Sequence, residues 1–239
     1  SEAQLLAAAR IELALKSLAE VGGYQAIAAR CWPEVPDTCG AMACAAFGKL
    51  GDSYIPAACE GDVMGALSML VLQALSGRSS ILMDLSDIDL NDDSLLFWHC
   101  GNAALEWAAG QNSRLTRHFN RDSLGVVRDM VLRPVRATGF RLLSQGQAAV
   151  IMEGVFAQAD KASFDGVRGW LSELTWNAAP LSAPALLSNV LDYRLPHHLA
   201  FGMGSQTEAL QELCAWLGAV PLAARPGLNT VGFLPGKVS

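Results

Sequence analysis

The chain has 239 residues, 51% of them hydrophobic and only 17% charged, with a formal net charge of −6 and a positive mean hydropathy. That balance excludes a disordered chain, which could not bury enough apolar surface to offset the entropy of ordering. It also excludes the Lys/Arg stripe on which phosphate-backbone binding depends, so no nucleic-acid partner is expected.

The elements follow in chain order. Glu2 to Glu20 carries Leu5, Leu6, Ala9, Leu13 and Leu18 at helical spacing, and Gly22-Gly23 supplies the stop. Tyr24 to Cys31 reads as a buried strand, Cys44 to Leu50 as part of a short helix, and Ile55 to Cys59 as a strand ending at Glu60. Asp62 to Ser76 repeats the helical pattern with Gly77 at the C-cap position. Its apolar run from Val63 to Leu75 is broken by Ser68 and Gln73 and is shorter than the roughly 18 residues of a membrane span, so no membrane partner is expected. Ile81 to Leu85 and Leu95 to His99 are two further apolar strands, with a short helix from Asn102 to Ala109. Helices alternating with short apolar strands predict a parallel sheet, so residues 1–112 are expected to form a Rossmann-like α/β domain carrying Glu60, Asp84 and His99.

From 113 to 239 the pattern changes to short strands with close turn signals, among them 131–135, 139–143, 148–152 and 170–174. These predict an antiparallel, barrel-like C-terminal domain, with a last helix from Gln206 to Leu217 stopped by Gly218. The fold class is thus α/β followed by all-β. A helix with no strand before it opens the chain, which suggests a fragment of a longer protein. The six cysteines, at 31, 39, 44, 59, 100 and 214, form no CxxC pair and read as free thiols. With no basic leader, a cytoplasmic location is expected, and the high apolar content predicts a homo-oligomer.

Three segments carry chemistry. Pro56-Ala-Ala-Cys-Glu60 and Ser80-Ile-Leu-Met-Asp84 each end an apolar run on a carboxylate, and Leu95-Leu-Phe-Trp-His99 ends one on an imidazole. The carboxyl edge of an open α/β sheet is where small ligands bind. Two oxygen donors with imidazole suit Mn²⁺, Mg²⁺ or Fe²⁺ better than a thiolate zinc site. Taken alone, either carboxylate reads better as a helix or turn cap. Downstream, His197 and His198 are adjacent on an extended segment, where neighbours point opposite ways, so one of them is expected to face the site. His118, in a polar stretch, is expected at the surface. Asp87, Asp89, Asp92 and Asp93 lack the offsets of a calcium loop and read as solvated. No nucleotide-binding fingerprint occurs.

Ala58-Cys-Glu-Gly-Asp-Val-Met-Gly-Ala-Leu67, Met83-Asp84, His99-Cys-Gly101 and His197-His198, with Arg30-Cys-Trp-Pro-Glu34 before them, resemble the L-fucose isomerase and L-arabinose isomerase family. The resemblance implies a metal-dependent aldose–ketose isomerase acting on a small sugar through an enediolate, with Mn²⁺ as the usual ion. It implies Glu60, Asp84 and His198 as metal ligands, with Glu60 and Asp84 also moving the proton. His99 joins them by analogy with the arabinose branch, and Arg30, Trp32 and His197 are weaker candidates for substrate contact. Family members are longer, so little isomerase activity is expected of this chain alone. The alternatives are a non-catalytic carbohydrate-binding or assembly module with the same fold, or a metal-dependent lyase or hydrolase.

Overall fold

A computed structural model describes residues 1–157, 161 and 163–225. The chain begins with helix α1 (Glu2–Gly22), whose Ser1 and Gln4 form a capping box and whose C-cap Gly23 is left-handed, φ 64°. Then come strand β1 (Ile27–Ala28), helices α2 (Glu34–Cys39) and α3 (Cys44–Asp52), strand β2 (Ala57–Ala58) and helix α4 (Val63–Ser76). Strands β1 and β2 pair in parallel, Ile27 with Ala57 and Ala28 with Ala58. The strands expected over 24–31 and 55–59 shrink to this pair.

Next are β3 (Ile81–Asp89), β4 (Ser94–His99), β5 (Ala108–His118), β6 (Arg121–Leu132), β7 (Val135–Leu143), β8 (Ala148–Ala157), β9 (Val167–Trp176) and β10 (Ala179–Pro180). Helix α5 (Ala183–Asp192), strand β11 (His198–Met203), helix α6 (Thr207–Leu217) and strand β12 (Val220–Pro221) complete the described chain. Strands β8, β7, β11, β3, β4 and β9 pair antiparallel in that order, and β9 returns to β8, closing a six-stranded barrel. The β5–β6 hairpin extends from β9 outside the closed ring.

The expected barrel is present, but it recruits strands that the sequence reading placed elsewhere. The strands of Asp84 and His99 form an antiparallel hairpin with its turn at 90–93, and the expected Rossmann-like sheet is reduced to the β1–β2 pair. The misreading has a physical cause. Ile81 and Met83 belong to the interior cluster with Phe97, Phe156 and Phe201, while Leu82 packs on the outside with Met69 and Leu72 of α4. A strand buried on both faces reads as a continuous apolar run, the usual mark of a parallel sheet. Inside, Phe97 and Phe156 meet Phe201 edge to face, with centroids 4.7 and 5.3 Å apart. The helix expected at 102–109 is only a 3-10 turn, Leu105–Trp107, leading into β5. Among the described residues, no helix is long and apolar enough to cross a membrane.

Candidate functional site

Strand register builds the centre of the site. His198, the first residue of β11, pairs directly with Asp84 on β3. Directly opposed residues share a face, here the outer face of Leu82 and Ala200 against the helices. His198 Nε2 lies 3.7 Å from Asp84 Oδ1, and both atoms are buried without a hydrogen-bond partner. Two orphaned polar atoms facing each other in the interior are costly unless something bridges them.

Glu60 reaches the same place by a strained turn. It has φ 59° and is followed by Gly61 at φ 70°, so a side chain with Cβ occupies the left-handed region at a cost of about 1–2 kcal/mol. The turn is held by Gly61 N–H to Ala29 O (3.0 Å), Asp62 N–H to Cys59 O (3.1 Å) and Glu60 N–H to Cys31 Sγ (3.4 Å). Glu60 Oε2 lies 3.3 Å from His197 Nε2, and donor atoms of Glu60, His197 and His198 all fall within 4.8 Å of one another. The adjacent histidines differ in burial: His198 is 3% exposed in its side chain and His197 63%.

Asp62, which the sequence reading passed over as the first residue of a helix, is the organising residue. It caps α4 through Gly65 N–H (2.8 Å), accepts from Arg141 Nη2 (2.9 Å) and again from Nη1, and lies 3.0 Å from His198 Nδ1. Burial alone would raise its pKa, but hydrogen bonds from His198, Arg141 and the Gly65 amide outweigh that and hold it well below the usual carboxylate range. A carboxylate can only accept, so Nδ1 donates to Asp62, which fixes the ring with Nε2 aimed at Asp84. Arg141 was detectable: a guanidinium inside the apolar run Gly139-Phe-Arg-Leu-Leu143 needs a buried anion.

His99 closes β4 and its ring stacks on His198, with centroids 5.4 Å apart. Its Nδ1 accepts from Cys100 N–H (2.8 Å) and its Nε2 lies 3.0 Å from Cys59 Sγ, so both nitrogens are engaged. The Cys59 thiol in turn bonds to Cys31, which lowers Cys31 to about 7, while Cys59 is raised, first by that bond and then by burial. Cys100 Sγ lies 3.3 Å from Cys44 Sγ, and its thiol is raised by that contact and then by burial. All six cysteines are free.

A cavity of about 240 Å³ opens beside these groups, lined by Glu60, Asp84, Trp32, Trp98, His99 and His118 among others. Trp32 forms part of its wall and carries the Arg121 guanidinium 3.8 Å from its ring centroid. Arg30, by contrast, is exposed and paired with Glu34 at 2.8 Å. His118 is a correction: it is buried, 9% exposed, with an unpartnered Nδ1. Its polar neighbours in sequence conceal that it ends β5 against Phe119, Cys100 and Cys44. The residues fit a cation. Orphaned Asp84 Oδ1 and His198 Nε2, with Glu60 nearby, supply hard oxygen and imidazole donors. Two Cys/His triads, the buried Cys59–His99–His198 and the part-buried Cys44–Cys100–His118, could also bind metal.

No family model matches the chain. It is 33% identical over 135 residues to a protein of Clostridium sp. (strain MSTE9), covering 56% of this chain and 30% of that one. The name of that relative is sulfoquinovose isomerase. Proteins of the same name match from Alkalicoccus urumqiensis, at 35% over 133 residues (54% of this chain, 30% of the relative), and from Priestia aryabhattai, at 29% over 191 residues (79% and 41%). The matches span about a third to two fifths of these relatives' length. The chain is therefore distantly related to sugar isomerases, and the relatives correct the expected membership of the L-fucose and L-arabinose isomerase family.

Proposed function

We propose that this chain contributes the metal-binding and proton-transfer centre of an aldose–ketose isomerase whose substrate is sulfoquinovose or a similar sulfo-sugar. The observation that carries the reading is the cross-strand pair Asp84–His198, whose buried Oδ1 and Nε2 face each other without a hydrogen-bond partner beside a cavity that Asp84 and Glu60 line. The relatives' name supplies the reaction class and the sugar.

In this reading Glu60, Asp84 and His198 would hold a divalent ion, with His99 flanking them. The oxygen-rich set suits Mn²⁺. When bound, such an ion supplies positive charge against an enediolate's oxygens. The chain's own residues do the rest. Asp62 keeps the His198 proton on Nδ1. Glu60, half-exposed at the cavity wall, takes the proton from one sugar carbon and returns it to its neighbour, while His197 steadies the carboxylate. Asp84 is the second carboxylate in reach of the same carbons. Trp32 and Trp98 offer flat apolar walls to the sugar ring and limit water.

The test is Mn²⁺ affinity, read from the free-ion electron paramagnetic resonance signal, together with ketose formation from sulfoquinovose. Asp84→Asn, Glu60→Gln and His198→Ala should each weaken Mn²⁺ binding by at least roughly tenfold, and His197→Ala far less. Unchanged Mn²⁺ affinity in Asp84→Asn would overturn the metal assignment. Mn²⁺ binding with no ketose formed, even when relatives' remaining sequence is supplied, would favour a non-catalytic carbohydrate-binding module.

A further inference from the structure

Beside His99, on the same cavity, lies a second set of donors that the isomerase reading does not use. Cys44 stands at the start of α3, Cys100 directly follows β4, and His118 ends β5. One donor atom from each lies within 4.8 Å of the other two, and the thiols are 3.3 Å apart. Cys44 is 1% exposed, and around it Met42, Val127 and Leu124 form an apolar wall. His118 Nδ1 is buried and has no partner. The geometry points to a binding site for a thiophilic divalent cation, Zn²⁺, on Cys44, Cys100 and His118.

Three arguments support it. The first is donor chemistry: two sulfurs and an imidazole are soft and borderline ligands that select zinc, while the Glu60 and Asp84 oxygens do not. The second is charge. Two thiolates and a neutral imidazole cancel a dication, so the loaded site carries no net charge, which an apolar wall tolerates best. The third is space. Sulfurs on a tetrahedral zinc stand about 3.8 Å apart, from Zn–S bonds of about 2.3 Å, so binding needs the 3.3 Å contact to open by only about half an ångström. Cys100 and His118 also line the 240 Å³ cavity. A fourth, exchangeable position is thereby open on the cavity side, the pattern of zinc sites that keep a ligand place free. Occupancy would draw the Cys100 sulfur from its contact with His99 Nδ1, now 3.2 Å, linking this site to the first through one ring.

Cobalt(II) is the probe, because thiolate ligation gives a near-ultraviolet charge-transfer band and tetrahedral geometry gives intense visible bands. The full chain should show both with a single equivalent of Co²⁺, and Zn²⁺ should bleach them. The charge-transfer band should be lost in Cys44→Ser and Cys100→Ser and kept in Cys59→Ser and Asp84→Asn. The Asp84→Asn arm separates this site from the isomerase centre, since failure of either leaves the other's signal in place. A band that survives Cys100→Ser, or vanishes in Cys59→Ser, overturns the assignment. Should the serine variants lose native circular dichroism, the wild-type chain decides. Zn²⁺ should slow iodoacetamide labelling of Cys100 by roughly tenfold or more and leave exposed Cys39 unchanged. Equal Cys100 labelling with and without Zn²⁺ overturns the proposal.

Discussion

Asp62→Asn separates charge from shape at the residue that joins α4, β7 and β11. Asn caps a helix as well as Asp does, so the Gly65 contact survives and α4 should keep its start. What disappears is the counter-charge of Arg141, whose side chain is 9% exposed against 12% for Asp62. Removing one partner of a buried pair costs about 3–5 kcal/mol. Because the Asn carbonyl still accepts one guanidinium hydrogen bond, we expect about 2–3 kcal/mol here. For a chain of 239 residues that lowers Tm by roughly 4–12 °C. The same change weakens the hold on His198 Nδ1 and should reduce Mn²⁺ affinity about 10- to 100-fold. Urea unfolding and Mn²⁺ titration read the two effects separately. Asp62→Asn/Arg141→Met should recover most of the stability, since an apolar side chain replaces an unpaired charge, and none of the affinity. Stability within about 1 kcal/mol of wild type together with unchanged affinity, or affinity restored in the double variant, would refute the reasoning.

Glu153 on β8 caps α6, accepting from the Gln206 and Thr207 amides at 3.0 Å each and from the Thr207 hydroxyl at 2.7 Å. Glu153→Gln should cost about 1–2 kcal/mol at neutral pH. Burial alone would raise the Glu153 carboxyl, but the bonds from Thr207 and Gln206 outweigh it and hold it below its usual value. A lowered carboxylate stabilises above its unfolded pKa and loses that contribution as pH falls through the folded one, so the gap between wild type and variant should close below roughly pH 4. A gap that widens in acid thermal melts would contradict this. Gly101→Ala meets Arg128 N at 2.6 Å in a φ of 118° and should destabilise by more than about 2 kcal/mol in urea unfolding, with loss of Mn²⁺ affinity if His99 shifts. His198→Ala should abolish tight Mn²⁺ binding where His197→Ala leaves most of it; equal losses in the two titrations would contradict the register assignment.

The helices were legible because their evidence is local. Periodicity marks α1, α4 and α6, and Gly23, Gly77 and Gly218 sit left-handed at their ends, φ 64°, 64° and 68°. Helix α5 was missed although Ser182 caps it and Pro184 stands in its first turn, a start signal that its place in a β-rich stretch obscured. Strand direction was not legible, because a doubly buried strand carries no mark of its partner. Asp87, Asp89, Asp92 and Asp93, read as a solvated loop, lie at the end of β3 and on the hairpin tip at 90–93 that turns it back on β4. Glu60, Asp84, His99, His197 and His198 do come together, but for Asp84 and His198 the meeting comes from antiparallel register and not from parallel strand ends. Asp62 and the Cys44–Cys100–His118 cluster depend on contacts between residues dozens of positions apart, and only Arg141 left a trace in composition.

The pairing of His198 with Asp84 makes chain length before β11 as consequential as residue type. A strand shifted by one residue turns every side chain to the opposite face. Deleting or inserting one residue within 193–197, the segment joining α5 to β11, would therefore put a leucine or His197 opposite Asp84, with composition almost unchanged. The hairpin tip at 90–93 carries no such constraint, since the Asp84–Trp98 register lies on the other side of a bulge between Leu85 and Asp87. Length variation among related chains should gather at that tip and avoid the five residues ahead of β11. Anyone grafting this barrel would do well to keep that short connector intact and spend sequence changes elsewhere.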